Sequence, residues 1–256
     1  MKYESTRGSK NYQTSTKAII RGIAEEKGLY VPTEIPALPL TIEEMKGMTY
    51  QQIAKEVLHA FFDEYTDEEM LYCINGAYDE KFDTPEIAPV VKKGDAMFLE
   101  LFHGRTLAFK DMALQIMPRL LSRALKMTGE EKTAYILVAT SGDTGKAALE
   151  GYRDVDGVKM AVFYPDEGVA KMQRLQMCTQ SGGNVLVAAV EGNFDDCQRA
   201  VKRMFASEEF NAQLAEKGVR LSSANSINFG RLAPQIVYYF SAYADMVKSG
   251  DITMGE

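Results

Sequence analysis

From about Ala96 onward, short apolar runs alternate with longer stretches of helical spacing, and few architectures accommodate that alternation. Ala134 to Ala139 (AYILVA) is a continuous apolar run, the pattern of a strand buried on both faces. It passes through Thr140-Ser141-Gly142-Asp143-Thr144-Gly145 into Lys146-Ala147-Ala148-Leu149, a good helix former. Met160 to Tyr164 and Val185 to Val190 repeat the buried-strand pattern, and a helix over 195–205 follows the second. Met97 to Phe102 (MFLELF) reads as an earlier strand. A helix over 111–125 carries Leu114, Met117 and Leu121 on one face. Leu221 to Ala224 reads as a last strand, with a helix over 231–247 after it. Strands that alternate with helices pair in parallel through crossovers, so the expectation is an α/β fold with mainly parallel sheets. In such sheets ligands sit at the carboxyl ends of the strands.

The residues before Asp95 read differently. Thr41-x-x-Glu44, Thr49-x-x-Gln52 and Thr66-x-x-Glu69 are three capping-box patterns, and Ile53, Val57 and Phe61 share one helical face. Pro32, Pro36 and Pro39 stiffen a connector before these helices, and Pro85 and Pro89 lie in another after them. This third of the chain is expected to be mostly helical.

Composition removes several function classes. The 29 basic and 36 acidic residues leave a net charge of −7, which argues against nucleic acid as a partner. The apolar runs are too short to span a bilayer, so no membrane partner is expected. Three widely spaced cysteines and two histidines suit neither a disulfide framework nor a metal site. The first residues have no apolar signal core, and with the cysteine count this makes a cytoplasmic location the expectation.

Three stretches could carry chemistry. In Phe102-His103-Gly104-Arg105-Thr106-Leu107-Ala108-Phe109-Lys110-Asp111, Lys110 falls at the start of a helix, the positive end of the dipole, among apolar neighbours. Both effects disfavour its charge, and a neutral lysine is a nucleophile that forms Schiff bases. The competing reading is an exposed lysine beside Asp111. The loop Thr140–Gly145 is rich in hydroxyls and glycine and leads into a helix, which suits a carboxylate or phosphate. It has neither P-loop nor dinucleotide spacing, and the alternative is a helix cap supplied by Ser141, Asp143 or Thr144. Asn225-Ser226-Ile227-Asn228 with Arg231 could grip a phosphate, or could be a turn and cap. Gly192-Asn193-Phe194-Asp195-Asp196 reads as a helix start instead, because its acidic pair would repel an anion.

Taken together, these stretches resemble the threonine synthase family of fold type II enzymes dependent on pyridoxal 5′-phosphate. Ser5-Thr6-Arg7-Gly8 followed by Gly28-Leu29-Tyr30-Val31-Pro32 is similar to the family's opening STRG…GLYVP. Leu101 to Asp111 is similar to LFHGPTLAFKD, with Arg105 where the family most often has proline. Ala139 to Gly145 matches ATSGDTG, and Asn225 to Asn228 with Arg231 is similar to NSIN…R. The resemblance implies a helical domain over residues 1–94 and a small α/β domain over 112–220. Parts of a large cofactor domain would fall over 95–111 and 221–256, both domains being three-layered α/β/α with mainly parallel sheets. It implies that Lys110 holds the cofactor and moves protons at the substrate's α and β carbons, with Phe109 and Asp143 beside the cofactor. Thr140, Ser141, Gly142 and Thr144 would bind the substrate carboxylate, and Asn225, Ser226 and Arg231 its phosphate. The implied reaction turns O-phospho-L-homoserine and water into L-threonine and phosphate. Two alternatives share these motifs: a phospholyase that releases 2-oxobutyrate, and an inactive form that binds an anionic metabolite or a partner. The family's later glycine-rich phosphate loop is expected beyond Glu256, so the large domain is expected to be truncated and the chain an incomplete form. The motifs leave the oligomeric state open.

Overall fold

The computed structural model describes residues 1–222 and 228–255. The chain opens with an antiparallel pair, β1 (Tyr3–Ser5) and β2 (Tyr30–Pro32), with α1 (Ser15–Arg21) between them. Then come α2 (Ile42–Met45), α3 (Tyr50–Phe61) and α4 (Asp67–Ala77). All three expected capping boxes form: the Thr41, Thr49 and Thr66 side chains accept from the backbone N–H of Glu44, Gln52 and Glu69, whose side chains accept in return. In α3, Ile53, Ala54, Val57, Leu58 and Phe61 make one buried stripe. Each large side chain in such a stripe contributes about 1.5–3 kcal/mol by leaving water.

The first third is therefore helical but not only helical. β1 and β2 lie in it, as does β3 (Val90–Lys93). β3 pairs antiparallel with β4 (Ala96–Leu99), so the strand expected near Met97 belongs to a hairpin and not to a parallel sheet. The expected helix over 111–125 is two helices, α5 (Asp111–Leu114) and α6 (Met117–Met127). Pro118 in the first turn of α6 has no N–H to give the Leu114 carbonyl, so the first helix stops there.

The remaining elements are β5 (Thr133–Ala139), α7 (Asp143–Tyr152), β6 (Val158–Pro165), α8 (Lys171–Cys178) and β7 (Val185–Val190), then α9 (Phe194–Ala206), α10 (Glu208–Glu216), β8 (Val219–Ser222) and α11 (Phe229–Ser249). The strands form one parallel sheet in the order β7-β6-β5-β8. One face of β5 (Ala134, Ile136, Val138) shares a core with Ala147, Ala148, Leu149 and Tyr152 of α7. The other face, at Leu137 and Ala139, lies against Gln198, Val201 and Lys202 of α9. α9 starts at an Asn193 capping box with Asp196, which bears out the reading of that segment as a helix start.

That core runs on into the N-terminal helices without a break. The Tyr65 hydroxyl donates to the Leu120 carbonyl at 2.8 Å and the Tyr78 hydroxyl to that of Met112 at 2.6 Å, which seats α5 and α6 on α4 and its flanks. Phe229, at the head of α11, packs on Tyr3, Phe61 and Phe62 with ring centroids 5.4, 5.5 and 6.2 Å away. Among the described residues no helix is long and apolar enough to cross a membrane.

Candidate active site

Two loops meet at the carboxyl end of the parallel sheet. The first runs from Glu100 to Lys110. Gly104 is glycine for a steric reason: a Cβ there would stand 2.4 Å from Asp111 Oδ2. The Asp111 carboxylate is fully buried and accepts from the Thr106 N–H at 2.8 Å and the Thr106 hydroxyl at 2.7 Å. Burial raises its pKa, and the Thr106 hydrogen bonds oppose that rise. Leu107 takes a left-handed backbone conformation (φ 60°), a strained one for a branched side chain, and its side chain is exposed. Lys110 stands at the head of α5, with its Nζ 4.5 Å from the centroid of the half-exposed Phe109 ring.

The second loop joins β5 to α7. Its cap is none of the three side chains expected. Gly142 is the cap residue, and the buried Thr140 hydroxyl accepts from the N–H of Gly142 (3.1 Å) and of Gly145 (3.0 Å). A Cβ on Gly142 would fall 2.3 Å from the Gln173 amide oxygen, so α8 lays a side chain directly over this loop. Gln173 also donates to the Asp143 carboxylate. Ser141 and Asp143 are exposed, and Thr144 is half-buried in the first turn of α7.

The loops touch where Lys110 Nζ lies 3.8 Å from Asp143 Oδ2. Arg105 makes a second tie, with its Nε 3.7 Å from the buried Glu150 of α7, which also meets Arg153 at 3.4 Å and Gln180 at 3.0 Å. Arg231 is buried in the first turn of α11. Burial lowers its pKa, and the nearby Tyr152 hydroxyl opposes the shift. Asn225 and Ser226 lie outside the described residues. Asn228 caps α11 at the Gly230 N–H and donates to the Ile19 carbonyl, both at 2.9 Å. Gln173 and Glu150 had no signal in the sequence, because neither stands in a motif and only the fold brings them to the loops.

Comparison with known proteins points to one family. The profile described as Threonine synthase N terminus matches residues 2–78. A threonine synthase of Pseudomonas aeruginosa is 42% identical over 247 residues, covering 94% of this chain and 50% of its own length. The structure of a PLP-bound threonine synthase from Brucella melitensis matches with a TM-score of 0.88 at 38% identity, covering 96% of this chain and 52% of that one. The chain corresponds to the N-terminal portion of the threonine synthases. Threonine synthase-like 1 of Homo sapiens is also similar, 39% identical over 251 residues, covering 94% of this chain and 33% of its own. The chain spans about half the length of the curated threonine synthases it matches. Its α/β fold, with a parallel sheet, is that of the fold type II threonine synthases.

Proposed function

We propose that this chain supplies the lysine loop and the carboxylate loop of a threonine synthase, which converts O-phospho-L-homoserine and water to L-threonine and phosphate. The observation that carries the reading is the meeting of Lys110 with Asp143, which brings the two motif loops to one point at the end of the sheet. The residues fit pyridoxal 5′-phosphate. Lys110 offers an amine with 20% of its side chain exposed, and Phe109 offers a flat apolar ring. The cofactor, when bound, supplies the electron sink that stabilises carbanions at the substrate's α and β carbons.

The other roles belong to side chains of this chain. The Lys110 amine would hold the cofactor and carry a proton between the α and β carbons. Asp143 opposite would keep that amine oriented. The first turn of α7, with Ser141, Gly142 and Thr144, would bind the substrate carboxylate at the positive end of the helix dipole. Thr140 contributes by shaping that turn, since its hydroxyl bonds the loop backbone. Arg231, with Asn225 and Ser226, would hold the phosphate. The division into parts over 1–94, 112–220 and 95–111 with 221–256, and a cytoplasmic location, belong to the same reading.

Titration of the purified chain with pyridoxal 5′-phosphate, followed by borohydride reduction and peptide mapping, tests it. The expected result is an absorption band that reduces onto Lys110 and is absent in Lys110→Ala. Label spread over surface lysines would sink the assignment. Product analysis with O-phospho-L-homoserine then separates the reactions, since threonine supports this one and 2-oxobutyrate the phospholyase.

A further inference from the structure

His103 stands at the entry to the lysine loop, and both of its ring nitrogens face carboxylates. Nδ1 lies 2.5 Å from Asp83 Oδ1 and Nε2 lies 3.0 Å from Glu100 Oε2. An ionised carboxylate only accepts, so one ring satisfies both only when each nitrogen carries a hydrogen. A neutral ring would aim a lone pair at one of the two. The main chain makes a parallel tie, the Asp83 N–H donating to the His103 carbonyl at 3.1 Å. The ring also stacks on Phe102, with centroids 4.7 Å apart. Asp83 belongs to the connector after α4, so this knot fastens the lysine loop to the helical part of the chain.

The titratable groups facing the ring are Asp83 and Glu86 on that connector and Glu100 on its own segment, all carboxylates. Burial by itself would lower the histidine's pKa, but the hydrogen bonds to Asp83 and Glu100 outweigh burial and hold it above the ordinary value.

We propose that His103 is a positioning residue for Lys110: as an imidazolium bridging Asp83 and Glu100, it fixes the start of the loop and so holds the lysine amine opposite Asp143. Its importance to the reaction rests on the reading of Lys110 given above, whereas its geometry does not. Because its pKa is higher in the folded chain than in the unfolded one, the bridge is complete below the ordinary histidine value. It is lost as pH rises through the folded value.

Two measurements on the purified full chain test this. The chain has two histidines, so His59→Gln leaves His103 as the single imidazole signal. Its ring nitrogen shifts are expected to show both nitrogens protonated at about pH 7, with a midpoint above the ordinary value of about 6.5. One unprotonated nitrogen at that pH, or a midpoint at or below the ordinary value, overturns the proposal. The second measurement is the rate of reductive methylation of Lys110, followed by peptide mass spectrometry. His103→Gln is expected to raise that rate about tenfold over the wild type at neutral pH, the scale of one lost charge-assisted bond. The rates of the other lysines should not move. His103→Arg, a permanent cation that can bridge two carboxylates, should keep the slow rate. The wild type should match His103→Arg at low pH and depart from it as pH passes the His103 midpoint. If wild type and His103→Arg stay together at every pH, or if His103→Gln leaves the Lys110 rate unchanged, the idea fails. Should His103→Gln not fold, the first of those comparisons decides alone. Neither measurement uses the cofactor, so failure of Lys110 to take up pyridoxal 5′-phosphate would count against the proposed reaction and not against this role.

Discussion

The backbone of the loop that ends at Lys110 is fastened by charged side chains, whereas the backbone of the loop that follows β5 is fastened by the neutral Thr140 hydroxyl. At the first, His103 sits between Asp83 and Glu100, Asp111 is buried against Thr106, and Arg105 reaches Glu150. At the second, Thr140 accepts from two backbone N–H groups and donates to the Gly142 carbonyl at 3.2 Å. The difference follows from what each loop presents. An amine held beside an acceptor tolerates carboxylates around its anchor points. The backbone N–H groups at the head of α7 need only a neutral acceptor, and Thr140 supplies it. The charged ties of the first loop are therefore expected to respond to pH and salt, and the Thr140 hydrogen bonds are not.

Substitutions at three positions can break or sharpen that contrast. Gly104→Ala should do the most damage, because the new methyl would stand 2.4 Å from Asp111 Oδ2 and 2.7 Å from Asp111 Cβ. Asp111 has no room to yield, so we expect a loss of about 3 kcal/mol, seen as a lower urea midpoint at unchanged slope. Thr140→Val comes next. It leaves the Gly142 N–H without its acceptor, at a cost of about 1–3 kcal/mol. That cost should stay constant between acid and alkaline buffers, and a marked pH dependence would erase the distinction between the loops. Thr140→Ser should restore the wild-type midpoint. Arg105→Ala should be the mildest, below about 1 kcal/mol, since its side chain is half-exposed and Glu150 keeps Arg153 and Gln180. Added salt should shrink its effect further, and chemical denaturation at two ionic strengths would measure that.

The sequence was most readable where one helical turn holds the whole interaction. Each capping box joins residues three apart, so Thr41, Thr49 and Thr66 were visible without knowing the fold. The strands β5, β6 and β7 were visible as continuous apolar runs. β1 and β2 have three residues each, too few for a period, and pair across the length of α1. α10 buries none of its residues, so it shows no apolar stripe. At the site, Lys110 and the Thr140–Gly145 loop stood out as motifs, and the structure brings Lys110 to Asp143. The capping of α7 is not legible in the motif, because Ser141, Asp143 and Thr144 are all competent caps on paper. Only the fold shows that Thr140, at the strand end, reaches back into the helix. Gln173 was missed because it is thirty residues from Asp143, on a helix with no distinguishing pattern.

Phe229 ties the last described helix to rings from the start of the chain, Tyr3, Phe61 and Phe62. For a polypeptide leaving a ribosome, this sets an order of events. The first helices emerge early, but the slot among those rings cannot close until Phe229 has been added. At typical rates of synthesis the wait is on the order of ten seconds. During that interval the aromatic slot is exposed to solvent and open to chaperones and to other nascent chains. Until Phe229 arrives, those three rings lack the partner that covers them in the finished fold.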